Sequence, residues 1–383
     1  MKDAQNKPVI VSALRTPQGK RNGIFSDIRG EDMCVSIIDE IVRSTEVRPD
    51  EIDDLMWGCA LQRGEQDNNI ARIIGLMSLL GEGVPATTIN RWCASSLQAI
   101  MSGSDSIRAG QRDCIIAGGV EHMTRVPMDE ASSFSKIHPE FMQKYNIFEL
   151  QMGMTAESVA REYGISREDQ DKYALSSHRK AADATDSGKI REEIVPIEVG
   201  NVIKDEDEGI RRNTTIEKLE GLSPVFRGDG TVTAGNSSQI SDGASAVMIT
   251  SEQFAEEHGL EKLATIEGHS IAGVDPRLMG IGPIPATEKL FSRCGFKIGD
   301  FDLIELNEAF AVQTLHCKNE LKIPDEKLNV NGGAIAIGHP LGSSGCRLSV
   351  SLIHEMCRRE SKMGLATMCV GLGQGASMAF SRE

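Results

Sequence analysis

INRWCASSLQAIMSGSDSIRAGQRDCIIAGGV, residues 89–120, places one cysteine ahead of a helix-like run and closes on an apolar run followed by glycines. Leu97, Ile100, Met101 and Ile107 fall near one face at helical spacing, which predicts a helix that begins close to Cys93. Ile115, Ile116 and Ala117 form a short continuous apolar run, the pattern of a strand buried on both faces. The second half of the chain repeats this order, with a helix expected from about Ser344 to Arg359 and a strand in LATMCVGLGQG, residues 365–375. From Cys93 to Gly119 is 26 residues, and from Gly345 to Gly371 is again 26. A duplicated α/β unit is the expectation.

The flanking segments agree with alternating β and α. KPVIVSALRTP (7–17) and IDDLMWGCA (52–60) read as strands, and EDMCVSIIDEIVRST (31–45) reads as an amphipathic helix. In the second half ATEKLFSRCG (286–295) reads as a helix and FDLIELN (301–307) as a strand. Between the halves, about 121–240, the texture turns polar and amphipathic, as in SREDQDKYALSSHRKAADA (166–184), with no strong β run until its end. The expected organisation is a first half over 1–120 completed by about 241–262, a helical insertion over 121–240, and a second half over 263–383. The insertion ends in RGDGTVTAGNSSQISDGASAVMIT (227–250), whose glycine, serine, asparagine and aspartate ahead of a strand mark a loop that can carry function.

The chain has 383 residues and a formal net charge of −15, so it is sized for more than one domain and unsuited to nucleic acid or an anionic membrane surface. Its nine cysteines are odd in number and lack metal-ligand spacing, which fits reduced thiols rather than a disulfide framework or a zinc site. No apolar run is long enough to span a membrane, and the first residues lack a signal-peptide pattern. The expectation is a soluble cytoplasmic protein with no metal.

Four residues carry candidate chemistry. Cys93 lies where the start of a helix supplies free N–H groups and partial positive charge, which favour a thiolate. His339 lies in GGAIAIGHPLGSSGCR (332–347), among small residues that allow close backbone approach to a ligand. Asn307 ends a strand, and Cys369 ends the last apolar run just before glycines whose N–H groups can line an oxyanion site. GLGQGA (371–376) mimics a dinucleotide fingerprint, but too little chain follows it for the helix and acidic residue that such a site requires.

In order and spacing, NRWCASSLQA, GGVEHM, DGTVTAGNSSQISDGA, MGIGPIPA, NEAFA, NGGAIAIGHPLGSSG and CVGLGQG resemble the thiolase family along nearly the whole chain. The resemblance implies a duplicated α-β-α-β-α layered core with a loop domain inserted in the first half. It also implies that Cys93 is the acylated nucleophile, His339 its base, Cys369 a second acid/base and Asn307 the holder of a water at one oxyanion site. The backbone N–H groups of Cys93 and Gly371 are implied at the other. Arg211 and Ser238 match positions contacting the nucleotide and pantetheine arm of coenzyme A, and Met152, Ala309 and Phe310 match positions near the thioester. Coenzyme A is thus expected as a substrate, with no permanently bound cofactor. A homodimer or dimer of dimers is implied, and in some relatives a hydratase/dehydrogenase partner subunit. Arg212 and Arg227 join Arg211 as candidate basic groups for the coenzyme.

One departure bears on substrate. Where the biosynthetic branch has histidine before the methionine, this chain reads QMGMTAE, with Gln151 in that place. A degradative 3-ketoacyl-CoA thiolase of fatty-acid β-oxidation is therefore expected. The alternatives are a biosynthetic acetyl-CoA acetyltransferase and a non-catalytic thiolase-fold protein that binds acyl or lipid ligands. Finally, Phe134, Ile137, Phe141, Tyr145 and Phe148 repeat at helical spacing in SSFSKIHPEFMQKYNIFEL (132–150). They predict one aromatic helix stripe, packed either in the insertion's own core or against an acyl chain or partner.

Overall fold

A computed structural model describes residues 6–128 and 137–383. Its first half runs β1 (Pro8–Arg15), β2 (Gly19–Lys20), α1 (Gly30–Thr45), β3 (Asp54–Gly58), α2 (Ile70–Met77), β4 (Ala86–Ile89), α3 (Ser95–Arg108) and β5 (Cys114–His122). The next segment carries α4 (Pro139–Lys144), α5 (Met152–Tyr163), α6 (Arg167–Asp186), the hairpin β6 (Ile197–Val199) and β7 (Val202–Lys204), and α7 (Ile216–Glu220). The chain then returns through β8 (Ser241–Ser251) and α8 (Glu252–Glu257) to β9 (Ala264–Gly273), α9 (Pro283–Cys294), β10 (Leu303–Leu306), α10 (Ala311–Glu320) and α11 (Ala334–Ile337). It closes with α12 (Leu341–Arg359), β11 (Met363–Val370) and β12 (Gln374–Ser381).

The main sheet has the order β10-β11-β12-β9-β1-β8-β5-β3-β4, a near-palindrome about the β9–β1 contact. On one side β3 and β5 are parallel and β8 runs antiparallel to both β5 and β1. On the other, β10 and β11 are parallel and β12 runs antiparallel to both β11 and β9. A parallel bridge from Ile304 to Leu328 even stands where β4 stands in the first half. The duplication read from the sequence is therefore present, though in a different register. Aligning the ladder starts Cys114 and Met363 pairs Cys93 with Gly342 rather than Gly345. The matching glycine intervals marked the right elements because glycines recur at close approaches in both halves, not because they are equivalent positions.

Helices α3 and α12 pack on each other and against strands of both halves, so they form the central layer. The outer faces are covered by α1 on the first half and α9 on the second. The central layer is tight. A Cβ on Gly345 would stand 2.5 Å from Leu97 Cβ and 2.6 Å from Leu97 N. The Cys346 N–H donates to Ser96 Oγ at 2.9 Å, so a hydrogen bond locks the same crossing.

Several local expectations change. Helix α12 starts at Leu341, a turn earlier than the periodicity suggested, because buried small residues continue its inner face. The segment after β5 contains the short hairpin β6–β7, invisible to a search for long apolar runs because each strand is three residues. The aromatic stripe is not one helix. Helix α4 spans six residues and ends at Tyr145, whose extended backbone breaks the periodicity, while Phe148 sits in the following turn at 66% exposure. Phe141 and Tyr145 remain paired, with ring centroids 5.1 Å apart, and both are half-buried; Phe134 lies outside the described residues.

The α3–α12 crossing predicts that Gly345→Ala lowers stability by about 2–3 kcal/mol through overpacking against backbone that cannot yield. A calorimetric melt tests it, and an unchanged melting temperature would show that the crossing tolerates a methyl group.

Candidate active site

Strand β4 and helix α3 are joined by a tight turn in which Trp92 takes a left-handed φ of 46°. Ser95 holds this turn: its Oγ donates to the Trp92 carbonyl at 2.6 Å and accepts the Arg91 N–H at 2.9 Å. Cys93 therefore stands just outside α3, which Ala94 caps, and is half-buried. The Gly371 backbone N–H and the cysteine's own N–H donate toward its sulfur. These donors do not offset desolvation, and burial pushes the thiol up to about 11. The expectation of a resting thiolate is thus corrected. At neutral pH Cys93 is a thiol.

His339 is fixed from both sides. Gly338 precedes it with φ 106°, where a Cβ would meet Ser241 Oγ at 2.1 Å, so only glycine fits. The His339 N–H donates to the Gln239 carbonyl at 3.2 Å, and the Gln239 amide in turn donates to the carbonyls of Gly209, Ile335 and Ala336. Ser344 Oγ donates to the Pro340 carbonyl at 2.7 Å and stands 2.5 Å from His339 Nδ1. With that hydroxyl proton on Pro340, Nδ1 is the donor to Ser344 Oγ and Nε2 is the accepting nitrogen, facing the Asn307 amide at 3.3 Å. Burial, aided by the positive charge of Arg347, lowers the imidazole to about 3, so it is neutral and able to accept a proton.

Asn307 follows β10, fully buried, with its Nδ2 3.3 Å from His339 Nε2 and its Oδ1 without a hydrogen-bond partner. An orphaned buried carbonyl oxygen is costly and calls for a donor such as a water or a ligand hydroxyl. Cys369 is the penultimate residue of β11, at 1% exposure, and burial together with the nearby Cys93 and Cys317 sulfurs raises its thiol. Two contacts thus bring the candidates together, the Asn307 amide with the His339 imidazole and the Cys93 sulfur with that of Cys369.

Of the remaining candidates, Met152, Ala309, Phe310 and Cys369 belong to one apolar cluster. Ser238 joins them through its N–H, which donates to the Ala309 carbonyl at 3.0 Å. Arg211 is exposed and anchored by its backbone N–H on His178 Nδ1 at 3.2 Å, two residues beyond Gly209, whose carbonyl Gln239 holds. The other two arginines are less free, since Arg212 pairs with Asp186 and Arg227 with Asp229. A cavity of about 740 Å³ beside α5 is lined by Arg161, Arg227 and Arg277 and contains none of the convergent residues.

Sequence reading missed Ser344 and Glu121. Glu121 is buried and accepts the N–H groups of Ala60, Leu61 and Gly342 at 3.0, 3.1 and 2.9 Å, which ties the start of α12 to the first half. Both lie inside stretches quoted above, but a serine five residues past a histidine and a glutamate at a strand end have many ordinary uses.

The family models for the thiolase N-terminal domain and the thiolase C-terminal domain match residues 8–253 and 260–382. The chain belongs to the thiolase family. It is 47% identical over 385 residues to a 3-ketoacyl-CoA thiolase of Vibrio parahaemolyticus, covering 98% of both chains. It is 46% identical to a 3-ketoacyl-CoA thiolase of Erwinia tasmaniensis, covering 98% of this chain and 99% of that one. Among solved structures, human mitochondrial 3-ketoacyl-CoA thiolase superposes with a TM-score of 0.92 at 37% identity, covering 99% of this chain and 100% of that one. Bacillus anthracis acetyl-CoA acetyltransferase superposes with a TM-score of 0.91 at 39% identity over 99% of each chain.

Two outcomes follow from the charge states and the imidazole's support. Alkylation of Cys93 by iodoacetamide, followed by peptide mass spectrometry, will accelerate about tenfold per pH unit from pH 7 to 10, because thiolate is the reactive form and the thiol lies at about 11. A plateau below pH 8 would contradict a desolvated thiol. Ser344→Ala will lower kcat by about 10–100-fold with KM and melting temperature little changed, because the imidazole loses its orienting acceptor. Equal losses in kcat and stability would mark Ser344 as structural only.

Proposed function

We propose that this thiolase cleaves 3-ketoacyl-CoA with coenzyme A to acetyl-CoA and a shortened acyl-CoA, the thiolytic step of fatty-acid β-oxidation. The observation that supports the chemistry is the His339 relay: Nδ1 is turned to Ser344, Nε2 meets the Asn307 amide at 3.3 Å, and the Cys93 and Cys369 sulfurs lie near each other.

In this reading His339 Nε2 takes the Cys93 proton as the sulfur attacks the 3-keto carbon. The oxyanion is held by a water on Asn307 and by the imidazolium. The bond between carbons 2 and 3 breaks, Cys369 gives its proton to carbon 2 of the departing enolate, and acetyl-CoA leaves. The enolate oxygen is held by the N–H groups of Cys93 and Gly371, each donor contributing on the order of 3 kcal/mol to the transition state. Cys369 then takes the proton of an incoming CoA thiol, whose sulfur displaces the acyl group from Cys93, and His339 returns its proton. No charged pair needs to exist before substrate binds, which suits a desolvated pocket.

The 121–240 segment is read as the coenzyme A domain, with Arg211 toward the nucleotide and Ser238, Met152, Ala309 and Phe310 along the pantetheine arm. Coenzyme A enters as a substrate, with no permanently bound cofactor in the scheme. Gln151, exposed at the start of α5, supports cleavage of longer chains over acetoacetyl-CoA synthesis, and the relatives at 46–47% identity carry the name 3-ketoacyl-CoA thiolase. The similarity to the Bacillus acetyltransferase keeps condensation of acetyl-CoA as the second reading. A homo-oligomer in the cytoplasm completes the proposal, consistent with the absence of a membrane-spanning helix among the described residues.

Cys369→Ala should still accept an acyl group from acyl-CoA, whereas Cys93→Ala should not. Intact-mass analysis reads both, and an adduct at another residue in Cys93→Ala would overturn the scheme. On a ladder of 3-ketoacyl-CoA lengths, kcat/KM for medium or long chains should at least equal that for acetoacetyl-CoA. A strong four-carbon preference would instead favour the acetyltransferase.

A further inference from the structure

Trp92 and Leu372 are large apolar side chains left 40% and 42% exposed, an unusual fate for residues beside a buried site. Each holds a left-handed backbone, φ 46° and 60°, which side chains other than glycine rarely adopt. Each also flanks a group of the proposed mechanism, Trp92 preceding Cys93 and Leu372 following Gly371. Strained positions persist where the surrounding structure over-determines them, and they gather at ligand sites.

The two turns form one unit. Trp92 Cγ lies 3.7 Å, and Met152 Sδ 3.9 Å, from where a Cβ on Gly371 would stand. Arg91 donates through Nη1 to Gln374 Oε1 at 2.9 Å, and through Nε to Gln98 Oε1 at 2.8 Å, bracing the nucleophile's turn against the 371–374 turn and against α3. Arg91 therefore ties the turn that carries Trp92 to the turn that carries Leu372. A pair held in strain yet exposed is poised to be covered by something that arrives at that sulfur.

We propose that Trp92 and Leu372 form an apolar rim that grips the first methylenes of the acyl chain carried on Cys93, and so determine chain-length preference. The inference rests on Cys93 being the acylated nucleophile. The four-carbon substrate leaves only a methyl group on the cysteine and cannot reach the rim, whereas a long chain must cross it. Specificity is then a difference in kcat/KM that grows with contact between chain and rim.

The test compares kcat/KM for 3-ketohexadecanoyl-CoA and acetoacetyl-CoA in the wild type, Trp92→Ala, Trp92→Phe and Leu372→Ala, with light scattering to follow assembly. Trp92→Ala and Leu372→Ala should each lower the long-chain value about tenfold while acetoacetyl-CoA changes less than about threefold, and Trp92→Phe should recover most of the loss. Equal losses on both substrates would overturn the rim and leave the turn a support for Cys93. Dissociation into smaller species would also overturn it, showing that a second copy covers Trp92. Intact mass separates the levels of the argument. Wild-type protein acylated on Cys93 with an unchanged ratio in the variants defeats only the rim, whereas the absence of a Cys93 adduct defeats the underlying reading as well.

Discussion

The close crossing of α3 and α12 is the contact on which the site depends. Cys93 stands just ahead of one helix and His339 just ahead of the other, so the spacing of thiol and imidazole is tied to how near the two helices approach. Gly345 admits the backbone at Leu97, and Ser96 accepts the Cys346 N–H at the same crossing. Glu121 extends the lock by collecting N–H groups from the 60–61 turn and from Gly342. The duplicated sheet is the frame that places two such helices back to back, and function uses their unlike ends.

Burial then decides the charge state. In water a thiol and an imidazole titrate near enough to exchange a proton freely, but desolvation drives Cys93 up to about 11 and His339 down to about 3. Both shifts favour the neutral thiol and imidazole over an ion pair. Fixed donors at a developing oxyanion act more strongly in a dry pocket than in water. The same desolvation raises the Cys369 thiol and keeps it protonated.

The layered fold was legible because buried strands and amphipathic helices leave distinct periods, and the two halves leave them twice. Cys93, His339, Asn307 and Cys369 stood out because reactive residue types lay beside glycines at element ends. What stayed hidden was relational. No pattern says that the Ser344 hydroxyl spends its proton on Pro340 and thereby sets the imidazole tautomer, or that burial outweighs the helix start at Cys93. The aromatic spacing of 134–148 misled because periodicity is blind to the extended backbone at Tyr145. Charge alone likewise does not reveal that Arg212 and Arg227 face carboxylates.

The account's central claim is that a neutral Cys93, relieved of its proton by His339, breaks a carbon–carbon bond and keeps the acyl fragment. A single-turnover reaction tests it most directly: excess enzyme mixed with 3-ketooctanoyl-CoA in the absence of free coenzyme A, quenched, and analysed by mass spectrometry. The account predicts stoichiometric acetyl-CoA and a hexanoyl group on the Cys93 peptide. Intact 3-ketooctanoyl-CoA, or acetyl-CoA released with the hexanoyl group on any other residue, would contradict it.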